Sequence, residues 1–434
     1  MQKSVCFTDS FFCVFNDKQS RRDTDMNFID QTSKILKIPE YKSLILLNIL
    51  FGISASFIFP YNSMFGIDEV GMSNMSFGIF MTISAIVGIF ISTYIGKLSD
   101  GRYTRKSILI VVTISAFIAY VLYAYIRDYF LLLFVASFFI GIASSGFPQV
   151  FAYAREAVGR ANLPSKEMPY AMNLFRMFFA LSWTVGPALA AFVLLRYDFT
   201  GLFLVAAAGY LIILFFVIKF LKHHNPKASK PKEPVNLRKF IVRPYIFANL
   251  FAFILIASAN SINMMNMPQF ITKVLHGTET HVGLAFSIPP IFEIPFMLGF
   301  GLLAARIDSS VLIKLGVFIA TIYFSILMFV DAPWQIYVIQ ILSAAYISIT
   351  NGIAISYFQD FIPDEPGTAT TLYMNTSKIG STIGFLLFGA VSQYYGYREV
   401  VILCMIFMAV AFLVLLLFRK DKSFVFHRRK RVSV

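Results

Sequence analysis

One acidic residue lies in a stretch of sequence that is otherwise apolar and rich in proline. Glu293 is flanked by Pro289, Pro290 and Pro295, which interrupt helical hydrogen bonding and widen the space around the carboxyl group. Burial favours the neutral form of a carboxyl group, so an acid in such a place can take up and release a proton. We therefore predict that Glu293 is a proton-coupling residue. The alternative is a carboxylate paired permanently with a buried cation, which would serve the fold only.

A second group of residues follows helical spacing. Asn173, Arg176, Ala180, Trp183 and Pro187 are separated by steps of 3, 4, 3 and 4 residues, so they share one face of a helix. An amide and a guanidinium donate hydrogen bonds to hydroxyl groups, and an indole offers a flat apolar surface. The pattern predicts that Asn173, Arg176 and Trp183 bind a sugar-like substrate.

Further polar residues interrupt other apolar segments. Asn375 and Lys378 repeat the spacing of Asn173 and Arg176, and Lys378, which can lose its proton when desolvated, is predicted to be a second proton-coupling group. The other amides predicted to bind substrate are Asn260, Asn263, Asn266, Asn351 and Asn375. Any single amide could instead serve helix packing, and Lys378 could extend to the membrane surface. Together they predict a polar, largely uncharged cavity, with Glu293 in direct or water-bridged reach of Arg176 or Lys378.

The sequence contains no residue pattern typical of an enzyme active site or of a metal site. The three cysteines include no Cys-x-x-Cys pair, and the five histidines fall in predicted loops or tails. Neither a nucleophile–histidine pair nor a phosphate-binding loop is present. We predict that the protein is not an enzyme and has no metal site and no cofactor.

Positioning these side chains requires a membrane-spanning scaffold. Hydrophobic residues make up 58% of the 434 residues and charged residues 14%, too few charges to cover a water-soluble protein of this size. A membrane helix uses about 20 apolar residues, and only helices satisfy the backbone in lipid at this hydropathy. The predicted fold is an all-α membrane protein with twelve transmembrane helices. They fall near residues 43–62, 77–96, 107–126, 130–153, 169–194, 200–221, 245–267, 282–304, 311–330, 334–357, 367–391 and 398–418.

The distribution of basic residues predicts the orientation in the membrane. Lysine and arginine number 37 against 23 acidic residues, yet only Arg127, Arg196, Lys273 and Arg398 fall in the loops predicted to face outward. Because basic loops stay inside, both termini are predicted to be cytoplasmic in a multi-pass protein of the cell membrane. Basic loops on the cytoplasmic side, in contact with anionic lipid, account for the excess positive charge. No nucleic-acid partner is therefore expected.

The chain divides into two similar halves. A basic, proline-containing linker at 222–243 separates six-helix halves at 43–221 and 244–418, and cytoplasmic segments are predicted at 1–42 and 419–434. Parallel six-helix repeats with a substrate site between them are a transporter architecture. The matching residues, 202 to 208 positions apart, are Pro60 and Pro268, Asp100 and Asp308, Tyr153 and Tyr357, and Asn173 and Asn375.

The segment between the second and third helices carries a known motif. Residues 96–106 (GKLSDGRYTRK) resemble the loop signature of the major facilitator superfamily, although Gly101 and Thr104 depart from it. The adjacent pairs Arg155–Glu156 and Gln359–Asp360 end the fourth and tenth helices. The residues predicted to form the gate and loop motif are Gly96, Asp100, Arg102, Arg105, Arg155, Glu156, Gln359 and Asp360.

A narrower resemblance covers most of residues 44–418. It is to the sugar efflux transporter family, and it implies a bacterial exporter of sugars and sugar analogues that is driven by protons. The first 40 residues and the tail after Phe418 lie outside it. The segments that carry the resemblance are FPQVFAYARE (147–156), LSWTVGP (181–187), Met267-Pro268, FEIP (292–295), and Phe358-Gln359-Asp360 to Pro363, with Ala369-Thr370-Thr371-Leu372 and Asn375.

These observations predict a secondary active transporter that exports sugars or sugar analogues by alternating access and proton antiport. Its expected partners are a small sugar, a proton and the lipid bilayer, and it is expected to act as a monomer. A multidrug/proton antiporter of the same superfamily is the first alternative, because 17% of the residues are aromatic. A non-transporting membrane sensor is the second. The identity of the sugar, the direction and proton stoichiometry of transport, and a translation start at Met1 or Met26 stay open.

Overall fold

The computed structural model describes residues 32–101, 103–161, 167–223, 243–304, 306–362 and 365–418. All regular elements in these ranges are helical, mostly α-helix with short 3₁₀ and π segments. The prediction of an all-α fold is therefore confirmed. Arg102, most of the predicted linker, the C-terminal tail and most of the N-terminal segment lie outside the described residues.

From Tyr41 to Phe220 the described residues form four long helices and one longer helical stretch. The helices are α1 (Tyr41–Glu69), α2 (Asn74–Gly101), α3 (Arg105–Tyr125) and α4 (Tyr129–Arg160), and the stretch is Glu167–Phe220.

The long stretch folds back on itself at Asp198, where the backbone has φ 54° and ψ −169°. It therefore provides two antiparallel helices, α5 (167–197) and α6 (199–220). Contacts of α6 with α3 support this reversal. The Thr200 hydroxyl donates to the Ala124 carbonyl near one end of α3 (3.2 Å), and Lys106 Nζ donates to the Ile218 carbonyl near the other (2.7 Å).

Within the part of the second half that the structure describes there are six long helices. Ten helical stretches within the described residues are long and apolar enough to cross a membrane. Dividing one of them at Asp198 and adding α11, in which many serine, threonine and glycine residues replace apolar ones, gives the twelve helices predicted. The bounds are α7 (Pro244–Val274), α8 (Glu279–Ala304), α9 (Ser309–Leu327), α10 (Pro333–Gln359), α11 (Pro366–Tyr394) and α12 (Tyr397–Leu417).

Helix pairing is repeated between the halves. In the first half α1 packs on α5, α2 on α4, and α3 on α6. In the second half α7 packs on α11, α8 on α10, and α9 on α12, which is the same set of pairs six helices later. This repetition matches the duplication that the sequence separations indicate.

The two halves meet most extensively along two crossings, α2 with α11 and α5 with α8. Each crossing depends on a glycine. A Cβ atom added to Gly78 would lie 2.8 Å from the Cα of Gly389, and one added to Gly283 would lie 2.9 Å from the carbonyl oxygen of Pro187. Any side chain at these positions would push the backbones apart, so glycine permits the close approach.

The loops alternate between two ends of the helical bundle, because consecutive helices are antiparallel. We call the end that contains Phe220 and Pro244 the linker end, and the end that contains Glu69 and Asn74 the far end. The linker end is the one that the basic residues predict to be cytoplasmic.

Candidate functional site

A cavity of about 370 Å³ lies between α5 of the first half and α7, α8 and α10 of the second half. The wall from α5 consists of Phe179, Ala180 and Trp183, and it is largely apolar. The facing helices supply the polar lining. Its principal members are Asn260, Asn263, Glu293, Gln340, Ser343 and Asn351.

Five residues that the sequence singles out therefore meet in one place, although they come from four different helices. They are Trp183, Asn260, Asn263, Glu293 and Asn351. Among the described lining residues, these polar groups are mixed with apolar side chains, and Glu293 is the acidic one.

Glu293 is half-buried and lies near Tyr346, on the α10 side of the cavity. The Ser348 hydroxyl donates to the backbone carbonyl of Glu293 at 3.2 Å, which ties α8 to α10 at this level. Among the described residues, Glu293 makes no ion pair with Arg176 or Lys378. A water-bridged contact with either cation stays a prediction.

A second, apolar cavity of about 280 Å³ adjoins the first. Trp183 and Met264 line both cavities, so Trp183 lies between the larger cavity, which carries the amides, and the apolar one. The other residues of the apolar compartment are Phe59, Met81, Ser261, Met265 and Phe385.

Other predicted site residues lie outside these cavities. Asn173, Arg176 and Asn375 are exposed, and Lys378 is half-buried. Arg176 lies 5.9 Å from the ring centre of Phe151, a cation–π distance. Asn173 and Arg176 on α5 and Asn375 on α11 are closer to the linker end than Trp183 is. We call this part of α5 and α11, which includes Lys378, the vestibule.

Asn266 has a different role from the one predicted for it. It is buried, and its Nδ2 donates to the backbone carbonyl of Tyr397 at 3.0 Å. This contact joins α7 to α12 and corresponds to the alternative interpretation, an amide used for helix packing.

The loop motif is organised around Arg105. Its Nε donates to Glu156 Oε1 at 3.0 Å, and one terminal nitrogen donates to Gln149 Oε1 at 2.9 Å and to the Ser99 hydroxyl. Gln149 Nε2 also donates to Ser99 Oγ at 3.0 Å. The guanidinium thus joins α2, α3 and α4 at the linker end. Arg102 and the side chain of Asp100 lie outside the described residues.

The remaining gate residues also make contacts at the linker end. Ser309 donates to Asp360 Oδ2 at 3.3 Å, and Gln359 Nε2 donates to the Thr370 hydroxyl at 3.1 Å. Both contacts stay within the second half, as those of Arg105 stay within the first. Arg155 is exposed, and Gly96 lies in α2 with open space beside it.

Comparison with known proteins identifies the family. The model of the Major Facilitator Superfamily matches residues 44–385 and 250–431. The chain is 31% identical over 355 residues to sugar efflux transporter B of Salmonella typhimurium, with 81% of this chain and 88% of the relative covered. It is 30% identical over 400 residues to sugar efflux transporter C of Escherichia coli, with 90% and 98% covered.

The chain belongs to the sugar efflux transporter family of the major facilitator superfamily. A crystal structure of the nucleoside transporter NupG has the same fold, with a TM-score of 0.67 at 15% identity, covering 87% of this chain and 98% of that one. This family member is a multi-pass membrane protein and, as predicted, a transporter and not an enzyme.

Several cavity residues of the transporter, including Gln340 and Ser343, are not predicted by the sequence analysis. Gln340, Ser343, Ile347 and Asn351 follow steps of 3, 4 and 4 residues along α10, so they present one face to the cavity. From the sequence, only Asn351 is predicted as a binding residue of α10, because an amide stands out in an apolar segment. The helical periodicity that indicates the face of α5 also indicates this face of α10.

Replacing Arg105 with lysine is expected to lower the thermal stability of the transporter. A lysine ammonium cannot donate in the three directions that the guanidinium uses, so one or two buried acceptors lose a charged partner. The expected loss is about 1–3 kcal/mol, or several degrees in Tm measured by intrinsic fluorescence. Arg155→Lys, an exposed position adjacent to Glu156, is the matched control. Equal Tm values for the two variants would show that the Arg105 contacts contribute no stability.

Proposed function

We propose that this transporter exports sugars or sugar analogues through the cavity between its halves. The observation that carries the proposal is the pairing of an indole wall with amide-bearing helices in a family whose relatives are named sugar efflux transporters. Amides bind hydroxyl groups, and the indole of Trp183 packs against the apolar face of a sugar ring. A volume of about 370 Å³ also falls in the usual range for small-molecule sites, about 300–1,000 Å³.

Alternating access is the mechanism that the contacts between the halves support. At the far end the halves are joined: Lys273 Nζ lies 2.8 Å from Asp68 Oδ1, and Gln269 Nε2 donates to Asp68 Oδ2 at 2.8 Å. We call these three residues the far-end latch. Tyr397 adds a second bridge by donating to Asn74 Oδ1 at 3.0 Å.

The far-end latch holds the halves together at that end, whereas Asn173, Arg176 and Asn375 are exposed closer to the linker end. We therefore propose that the cavity opens toward the linker end. If the linker end is cytoplasmic, as the basic residues predict, this is an inward-facing state. We also propose that the protein acts as a monomer in the cell membrane with both termini cytoplasmic.

The apolar cavity favours a second candidate, a multidrug/proton antiporter. Drug-like cations with aromatic rings would fit a compartment lined by Phe59, Met81 and Phe385. The amide lining of the larger cavity favours sugars over such compounds.

Ligand binding near Trp183 distinguishes the two candidates. Trp334→Phe removes the other tryptophan, which is 61% exposed, so that fluorescence reports Trp183 alone. We expect quenching or a spectral shift with methyl β-D-glucopyranoside, methyl β-D-galactopyranoside or methyl α-D-mannopyranoside, and counterflow of the same labelled sugars in proteoliposomes. Trp183→Ala should weaken sugar binding, measured by counterflow competition, by about 1–3 kcal/mol, by analogy with stacked bases. Saturable quenching by tetraphenylphosphonium and none by sugars would favour the drug antiporter.

Breaking the far-end latch is expected to favour the state that is open at the far end. Asp68→Ala removes an ion pair worth about 1 kcal/mol, which corresponds to a roughly fivefold change in the ratio of the two states. The measurement is the labelling rate of Ser261→Cys by a membrane-impermeant thiol reagent applied at the far end, in a background without native cysteines. The labelling rate should rise in Asp68→Ala. Exchanging the charges (Asp68→Lys with Lys273→Asp) should return the labelling rate to that of the protein with an intact latch.

Glu69→Ala is the matched control for the latch. It breaks an ion pair with Arg127, at 3.0 Å, that lies at the same end but within the first half. A labelling rate raised equally by Glu69→Ala and Asp68→Ala would contradict a latch between the halves.

Glu293→Gln is expected to separate transport from the proton gradient. Glu293 is the acid in the described cavity lining, and glutamine keeps its size while removing the titratable proton. Sugar accumulation driven by a pH gradient should be abolished, whereas exchange of sugar for sugar should continue. Glu279→Gln, at the far end of the same helix, should keep both activities. Normal pH-driven accumulation by Glu293→Gln would show that this carboxyl group is structural.

Lys378 and Arg176 complete the proposal as cations of the vestibule. We propose that Lys378 is a second titrating group and that Arg176 guides hydroxyl-bearing substrates toward the cavity. Because Arg176 keeps its proton and Lys378 can lose its own, Lys378→Met should alter the pH dependence of transport and Arg176→Lys should not. Equal pH profiles for wild type and Lys378→Met would contradict a titrating role.

A further inference from the structure

Gln340 occupies an unusual position in the larger cavity. It lies on α10, lines the cavity and is only 4% exposed. Its side-chain oxygen is buried and has no hydrogen-bond partner among the described residues. Buried amide oxygens in folded proteins are nearly always bonded, so an unpaired one on a side chain that lines a cavity can turn toward a partner that enters the cavity.

The other amides of the cavity are used differently. Asn260 Oδ1 accepts a hydrogen bond from the Tyr346 hydroxyl at 3.1 Å, which joins α7 to α10. Asn263 lies close to the Tyr323 hydroxyl of α9, and Asn351 is exposed toward the linker end. Of these amides, only Gln340 combines deep burial, a place in the lining and an unpaired acceptor.

A carboxamide has one donor face and one acceptor face in the same plane. Two hydroxyl groups on neighbouring carbon atoms offer the complementary pair, because one can donate while the oxygen of the other accepts. We propose that Gln340 determines specificity by binding two neighbouring hydroxyl groups of the cargo, with its oxygen accepting from one and its nitrogen donating to the other. This proposal rests on the proposed function, transport of sugars.

The opposite wall of the cavity is consistent with this orientation. Phe179, Ala180 and Trp183 of α5 offer mainly apolar and aromatic surface. A sugar placed with its apolar face on α5 directs its hydroxyl edge at α10. The first half then supplies the surface on which the ring packs, and the second half recognises its hydroxyl pattern.

The test compares variants of Gln340 with monodeoxy sugars. Of methyl β-D-glucopyranoside, methyl β-D-galactopyranoside and methyl α-D-mannopyranoside, the one that binds wild type most tightly is used with its 2-, 3- and 4-deoxy derivatives. Gln340→Met keeps the volume and flexibility of the side chain but removes both hydrogen-bonding groups. We expect its Kd for the parent sugar to rise about tenfold or more, as loss of two neutral hydrogen bonds predicts.

The deoxy sugars identify the hydroxyl groups involved. Two derivatives that lack neighbouring hydroxyl groups should bind wild type more weakly, yet should bind Gln340→Met as well as the parent sugar does. Thr350→Val is the matched control, because Thr350 is a buried polar residue of α10 whose hydroxyl donates to the Tyr346 carbonyl at 2.8 Å. It should leave every Kd unchanged.

Three outcomes would count against the proposal in distinguishable ways. Two results would overturn the role of Gln340 but not the proposed function. One is an unchanged Kd for Gln340→Met, and the other is the same loss of affinity, relative to the parent sugar, for each deoxy sugar in variant and wild type. Absence of binding of all three sugars to wild type would contradict the proposed function. If Gln340→Met does not fold, Gln340→Asn is measured instead with the same expectations, because asparagine is shorter by one methylene group and holds its amide farther from the cargo.

Discussion

Hydrocarbon offers no hydrogen-bond partner to a polar group, and this constraint determines where every polar side chain in the bundle can lie. Many buried ones join neighbouring helices. Asn48 donates to the Phe175 carbonyl at 2.6 Å, between α1 and α5, and Ser258 donates to the Gly380 carbonyl at 2.8 Å, between α7 and α11. Other polar groups line the cavity between the halves, where water or a polar cargo can replace a protein partner.

Sequence reasoning works well where this constraint leaves few choices. Long apolar runs predict the helices, and Glu293 stands out because an acid in such a run is rare. Periodicity gives the face on which a residue lies but not its depth, so Arg176 and Trp183 share a face while only Trp183 reaches the cavity. The role of Asn266 and the pairing of Asp68 with Lys273 depend on how distant helices meet, and no local pattern encodes that.

The two halves are alike in packing and unlike in chemistry. The same helix pairs recur in both halves, yet α5 gives the cavity an apolar wall while α7, α8 and α10 give it amides, a hydroxyl group and a carboxyl group. Duplication accounts for the scaffold because packing depends on shape and apolar surface, which both copies must keep. The cavity needs only one set of polar groups, so each copy was free to keep a different part of the site.

The glycines at the two crossings have a consequence for the rate at which the two halves can move relative to each other. Gly78 against Gly389 and Gly283 against α5 bring backbone atoms of the two halves into close contact. Backbone atoms in contact can slide past each other without moving a side chain of their own from one rotamer to another. In the proposed change between the two states, the polar contacts at the far end must also break, so dissolved salt, which screens charges, should raise the rate of that change.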